Sequence, residues 1–357
     1  MAAQHHDHLW RDHAVNPAPA SARALWELLT TPTEEDVDSA RQAEGDLVVV
    51  GAGGKMGPSL AVLAQKAFTA SGNGHRVWCV SRFTDASALA TLNSAGITCV
   101  ACDVLDRQAV ARLPDAAHVL YLVGMKFGAT GQEPLTWAEN CLAPAYVAER
   151  YRSARIVALS TGNVYPLVAP ETGGATEDTP PCPIGEYAQS CLGRERVLRY
   201  MAARHGTPLL LVRLNYATDL RYGVLVDIAQ AVHDGRPVVL RMGWFNTVWQ
   251  GYANSVLLRA FRLCAVEGPV LNLTGAEMGS VRASAESLAA AMRLPPPRFV
   301  GCERRRALLS NASRCHALFG RPQVGLDTLL DWTASWVSRG GPILGRPTHF
   351  STRDGRF

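Results

Sequence analysis

The chain has 357 residues, 48% of them hydrophobic and 18% charged, with a formal net charge of +4. This is enough apolar material for one large core or two joined ones, and the small charge excess, with Arg304-Arg305-Arg306 as the only tight basic run, argues against a nucleic-acid partner. No apolar run reaches membrane-spanning length and the first residues lack the basic-then-apolar order of a signal peptide, so a cytoplasmic protein without a membrane partner is expected.

Residues 1–45 read as a tail and a helical arm. His5, His6, Asp7, His8 and His13 crowd the start, but no second cluster completes a ligand set, so a tail is expected and no metal. From about Ala22 to Leu29 a helix is predicted, and Leu25, Trp26, Leu28 and Leu29 give it apolar surface that needs a partner. Leu47-Val48-Val49-Val50 is short, β-branched and continuous, as a parallel strand covered on both faces would be, and apolar residues recur at helical spacing from Pro58 to Ala67. Between them lies Gly51-Ala52-Gly53-Gly54-Lys55-Met56-Gly57. Gly51 can take a backbone conformation closed to other residues, Gly54 leaves the main chain open to a pyrophosphate, and Gly57 lets helix and strand pack closely. A helix amino terminus so placed favours phosphate.

Further apolar runs follow at His75–Ser81, Gly96–Ala101, His118–Val123 and Arg155–Ser160, with helix-compatible segments between them. The alternation predicts an α/β fold, a doubly wound parallel sheet of Rossmann type over residues 46–215, with ligand at the carboxyl ends of the strands. Where such folds place an acidic residue for the adenosine ribose, after the second strand, this chain has Ser81-Arg82. An arginine suits a phosphate, so NADP is favoured, with NAD possible because Asp85 lies close by; a solvated surface cation is the plainer alternative for Arg82. Nine cysteines, an odd number without framework spacing, predict reduced thiols. Cys99 and Cys102 form a CxxC on the third strand, where residues three apart face opposite sides, and read as packing.

After the fifth run comes Thr161-Gly162-Asn163-Val164-Tyr165-Pro166, and 26 residues beyond Thr161 stands Tyr187, opening a predicted helix. With Asp103-x-x-Asp106, Asn140 and Arg213-x-Asn215, the chain from Leu47 to Trp336 resembles the extended short-chain dehydrogenase/reductase family, which includes nucleotide-sugar epimerases and dehydratases. The resemblance implies that Thr161 holds the reacting oxygen and that Tyr187 moves its proton. It also implies cofactor contacts from Gly51, Gly53, Gly54, Lys55, Met56 and Gly57, then from Ser81, Arg82, Asp103, Val104, Val123, Gly124 and Tyr187. It suggests a homodimer joined by helices near Pro134–Tyr151 and Tyr187–Arg204.

One departure matters. The family has Tyr-x-x-x-Lys, and here the lysine position is Cys191. The lysine binds the nicotinamide ribose and lowers the tyrosine pKa, and a thiol does neither. A tyrosine of pKa near 10 is only about 0.1% ionised at neutral pH, and bringing it to about 7 takes roughly 4 kcal/mol. Lys126, just past the fourth strand, is the candidate replacement, with solvent or a substrate anion as its alternative partners.

Residues 216–357 loosen into an interleaved, smaller substrate cap. Tyr216, Arg221, Trp244, Asn246, Trp249 and Gln250 mix aromatic and hydrogen-bonding groups, which suits a sugar or sugar derivative but also a subdomain seam. Asn163, Asn215, Arg221 and Trp249 are the expected substrate contacts. Val270–Thr274 reads as a further strand, Ser284–Met292 and Leu326–Val337 as helices, and Pro342–Phe357 as a segment wrapping the surface or meeting another subunit. Three functions fit: a sugar epimerase or dehydratase, a carbonyl reductase that consumes NADPH and tolerates the missing lysine better, and a non-catalytic NADP(H) sensor.

Overall fold

The structure, a computed structural model, describes residues 17–126 and 128–356. The histidine cluster of the first residues lies outside them. Five strands of the central sheet follow the sequence closely, β1 Leu47–Val50, β2 Val77–Ser81, β3 Thr98–Ala101, β4 His118–Tyr121 and β5 Arg155–Thr161, and β6 Leu209–Leu214 joins them. With Val270–Leu273 as one edge, the order is Val270–Leu273, β6, β5, β4, β1, β2, β3, every neighbouring pair parallel. The chain reverses its direction of travel across the sheet between β1 and β4, so a crevice opens above the carboxyl ends of those two strands.

Burial explains the unbroken apolar runs. Leu47 and Val49 point into a core with the helices Gly57–Ser71 and Gln250–Arg259, whereas Val48 and Val50 point into a second core on the other face, with Ala143–Arg150 and Gly185–His205. A third core holds the cap together, from Val224–His233, Val281–Ala291 and Leu326–Ser338. Leu25 and Leu29 of the helix Ala22–Thr30 are buried in that cap core, so the arm packs on its own chain. A second arm helix, Glu34–Arg41, was not expected, although Thr33 and Asp36 form the capping box that announces it. Asp36 is buried, and Ser255 donates to it at 2.6 Å.

The strand Val270–Leu273 pairs in parallel with β6 at the edge of the sheet. Cys99 and Cys102 are separate free thiols, the first half-buried and the second buried, among nine free cysteines. No helix among the described residues is long and apolar enough to cross a membrane.

Candidate active site

The glycine turn is built as its spacing suggests. Gly51 has φ of +90°, and a Cβ there would lie 2.9 Å from the Val123 backbone nitrogen. A Cβ on Gly57 would lie 2.3 Å from the Ala52 carbonyl oxygen, so only glycine lets the helix Gly57–Ser71 start this close to the turn. That helix has no side-chain cap, leaving its first N–H groups for a ligand. Gly54 is exposed, and a Cβ built on it would lie 3.3 Å from the Gly51 carbonyl oxygen, a tight contact.

From the turn a groove of about 790 Å³ runs past Ser81, Arg82, Asp85, Val104, Val123 and Gly124. Its shape, its bare backbone and its glycine cradle fit a dinucleotide. At its outer end Arg82 pairs with Glu139 at 3.4 Å, and Arg346 from the C-terminal segment lines the same groove. The Asp85 carboxylate accepts from the Ser87 amide and hydroxyl and caps the helix Ala86–Ser94. Asp103, expected at the cofactor, turns its carboxylate to the Leu105 amide in its own loop and is absent from the groove wall, while its neighbours Cys102 and Val104 line it.

At the inner end the groove meets a cavity of about 270 Å³ that brings together Met56, Lys126, Thr161, Asn163, Tyr187 and Asn215. Thr161 ends β5, and its hydroxyl oxygen accepts from the Asn163 amide at 3.1 Å and from Asn163 Nδ2 at 2.9 Å. The Tyr187 hydroxyl lies within hydrogen-bond reach of the Thr161 hydroxyl and the Cys191 thiol. Burial pushes the phenol well above the usual tyrosine value and Cys191 adds to this, while the Arg194 guanidinium and Thr161 pull the other way. Tyr187 is therefore protonated at neutral pH.

Two lysines face the cavity. Lys55 donates to the Ala217 carbonyl at 2.6 Å and lies 3.8 Å from the centre of the Tyr222 ring; burial brings its ammonium down to about 7. Lys126 donates to the Thr348 carbonyl at 3.1 Å, and burial brings it down to about 8. Thr348 belongs to the C-terminal segment, which crosses the site as a strap: Leu344 bonds the Arg221 carbonyl, Thr348 bonds the half-buried Asp227, and Gly355 sits against Gly185 at the start of the Tyr187 helix. The expected wrapping over the surface is thus a wall of the site.

Trp249, expected as a substrate contact, does not line the Thr161 cavity. It is 6% exposed and meets Trp332 edge to face among apolar side chains, where a large ring contributes most by burial. Asn246 and Gln250 are likewise buried seam residues, bonded to Ser310 and Ser59. Asn215 is 2% exposed and donates to Asn246 and to the Leu308 carbonyl, so it supports the cavity wall. Arg221 bonds Asp219 at 2.8 Å and lines the outer groove instead of the Thr161 cavity. Sequence reasoning missed Tyr222 and Thr348 in the cavity wall, and Arg194, whose guanidinium lies under Gly124. The signal for Arg194 was its place seven residues after Tyr187, two turns along one helix face.

The family model for the NAD dependent epimerase/dehydratase family matches residues 47–238. No curated protein matches the chain in sequence. Among solved structures, a UDP-glucose 4-epimerase from Thermotoga maritima is 16% identical with a TM-score of 0.67, covering 83% of this chain and 99% of its own. A UDP-glucuronic acid 4-epimerase from Bacillus cereus, solved with NAD and a fluorinated UDP-sugar, is 15% identical with a TM-score of 0.68, covering 82% and 99%. The enzyme WbmG of Bordetella bronchiseptica, solved with NAD, is 17% identical with a TM-score of 0.68, covering 86% and 98%. These likenesses show the fold, and the family match spans more than half of the chain. The glycine turn, the Thr161–Tyr187 pair and that match lead to one conclusion: the chain belongs to the NAD dependent epimerase/dehydratase family, and is an NAD(P)-dependent enzyme of the extended short-chain dehydrogenase/reductase type.

Proposed function

We propose that this enzyme carries out epimerase- or dehydratase-type hydride transfer at a carbinol carbon of a sugar or sugar derivative. The observation that carries the reading is the Thr161 hydroxyl beside the Tyr187 phenol, both facing a cavity continuous with the groove of the glycine turn. A bound nicotinamide would supply the hydride acceptor and donor. The chain's own part is local: Thr161 donates to the reacting oxygen, Asn163 fixes the Thr161 hydroxyl, and Tyr187 gives or takes the proton on that oxygen. The relatives that bind UDP-sugars support the substrate class.

NADP is the proposed cofactor. Arg82 follows β2 in the place of an acidic residue and pairs with Glu139 at 3.4 Å, Asp85 is engaged in a helix cap, and Arg346 adds a second guanidinium to the same wall. Leu135, Trp137, Leu142 and Tyr200, exposed on the adjoining helices of the second face, support a homodimer, and nine free thiols support a reducing, cytoplasmic setting.

The test is to identify the nucleotide that the purified protein binds, then to follow isotopically labelled hydride through a panel of sugars and sugar derivatives. Label that returns to the substrate without net cofactor turnover is expected. Absence of nicotinamide binding, or unchanged turnover in Tyr187→Phe, would sink the reading. One observation favours a second reading, reduction of a carbonyl with stoichiometric cofactor use: a phenol kept protonated by burial and by Cys191 is already in the state that reduction needs.

A further inference from the structure

Arg194 is 4% exposed, on the helix that begins at Gly185. It follows Tyr187 by seven residues and Cys191 by three, so the three share a helix face, and helical side chains lean toward the amino terminus, which carries the guanidinium back toward both. Arg194 and Tyr187 line the same cavity. Nη1 donates to the Leu159 carbonyl at 2.9 Å, Nη2 donates to Asn140 Oδ1, and Nε has no partner among the described residues. A Cβ on Gly124 would lie 2.5 Å from Nη2, so the loop after β4 can pass over the guanidinium only because it carries glycine there.

Such a group is expensive to bury. A guanidinium without a carboxylate lacks the Coulombic gain that offsets desolvation, and Arg194 makes no ion pair among the described residues. What surrounds it is a set of weak acids. Cys191 and Tyr187 share its helix, Tyr121 ends β4, and Cys141 and Glu139 come from the helical turn Ala138–Leu142, where Glu139 is already paired with Arg82. Thr161 of β5 and Lys126 of the loop after β4 complete the neighbourhood of Tyr187 and Cys191. Arginine stays charged throughout the working pH range, so this group supplies a field and no proton.

We propose that Arg194 is the positioning cation of this active site, its buried charge stabilising the ionised form of Tyr187 where position 191 offers only a thiol. The proposal rests on the hydride-transfer reading for its purpose, but its test needs no turnover. With tyrosine replaced throughout by a ring-fluorinated analogue, whose lower intrinsic pKa brings the titration into the range of the folded protein, the Tyr187 resonance is assigned by its loss in Tyr187→Phe and followed with pH by fluorine NMR. Arg194→Gln should raise the midpoint by about one pH unit or more. Adding Cys191→Lys to that variant should lower it again. Should Arg194→Gln not fold, Asn140→Asp carries the test, because it sets a carboxylate against the same guanidinium without removing it, and it too should raise the midpoint. An unchanged midpoint in the variant that carries the test, or a phenol that ionises in neither the parent nor the variants, overturns the proposal. A shifted midpoint in a protein that turns over no substrate counts against the hydride-transfer reading and leaves this one standing.

Discussion

Two buried arginines flank one turn of the helix Gly185–His205 and are housed in opposite ways. Arg213 of β6 meets Glu195 through two bonds, 2.9 and 2.7 Å, while Ser160 donates to the same carboxylate at 2.5 Å and the Tyr165 ring covers the guanidinium at 4.7 Å. Arg194, the residue just before Glu195, is given a carbonyl and an amide oxygen. A paired charge is neutralised locally and ties the helix to the sheet. An unpaired one keeps its field, and that field falls on Tyr187 and Cys191. The contrast separates charge used to hold the fold from charge used to tune a site.

The largest expected effect breaks the paired side. Glu195→Ala leaves Arg213 buried without its carboxylate and should cost about 3–5 kcal/mol in denaturant unfolding. Next comes the tuned side: Tyr187→Phe should lower hydride transfer about 100-fold or more while the unfolding midpoint stays within the scatter of the parent. A retained rate would place the proton elsewhere.

The pH dependence sharpens the contrast. Because the folded Tyr187 phenol is held above its ordinary value, the phenolate fraction grows with pH, so substrate oxidation should rise about tenfold per pH unit through neutrality, whereas reduction should stay flat. An oxidation rate that is level from weakly acidic pH upward would contradict a protonated Tyr187.

Lys55 gives two pH effects of opposite sign, one on stability and one on cofactor affinity. Its folded value of about 7 lies below the ordinary lysine value of about 10.4, so the unfolded chain holds more protons between these values and folding stability rises with pH across that window. An anionic cofactor group beside Lys55 would restore its proton, so affinity should weaken by up to about tenfold per pH unit above pH 7, with proton uptake measurable by calorimetry in buffers of different ionisation enthalpy. The smallest effect expected is at the groove's outer end, where Arg82→Ala should weaken NADP binding several-fold and spare NAD. Equal losses for both would remove the phosphate role.

Local spacing made much of this legible. Gly51, Gly54 and Gly57 each carry a backbone constraint that shows at fixed separations, and the β1 run with its two buried faces reads directly as a central parallel strand. Thr161 and Tyr187, which line one cavity, stood out in the sequence because one ends a strand and the other opens a helix, both recognisable punctuation. Arg194 was missed although its spacing from Tyr187 puts both on one helix face, because the absence of a carboxylate partner, which gives that placement its meaning, depends on the tertiary structure. Thr348 was missed for a different reason: more than 200 positions separate it from Lys126, and only the strap's path joins them. Trp249 misled because an indole suits a ligand platform and a core equally well, and Trp332 decided the matter.

The most direct test of the central claim is a structure of the protein with nicotinamide dinucleotide and a substrate or product bound. The account predicts the Tyr187 hydroxyl and Thr161 Oγ1 both at hydrogen-bond distance from one substrate oxygen, with the reacting carbon about 3–3.5 Å from the hydride-carrying ring carbon. A substrate oxygen held by other groups, with Tyr187 and Thr161 out of reach of the ring, would contradict it.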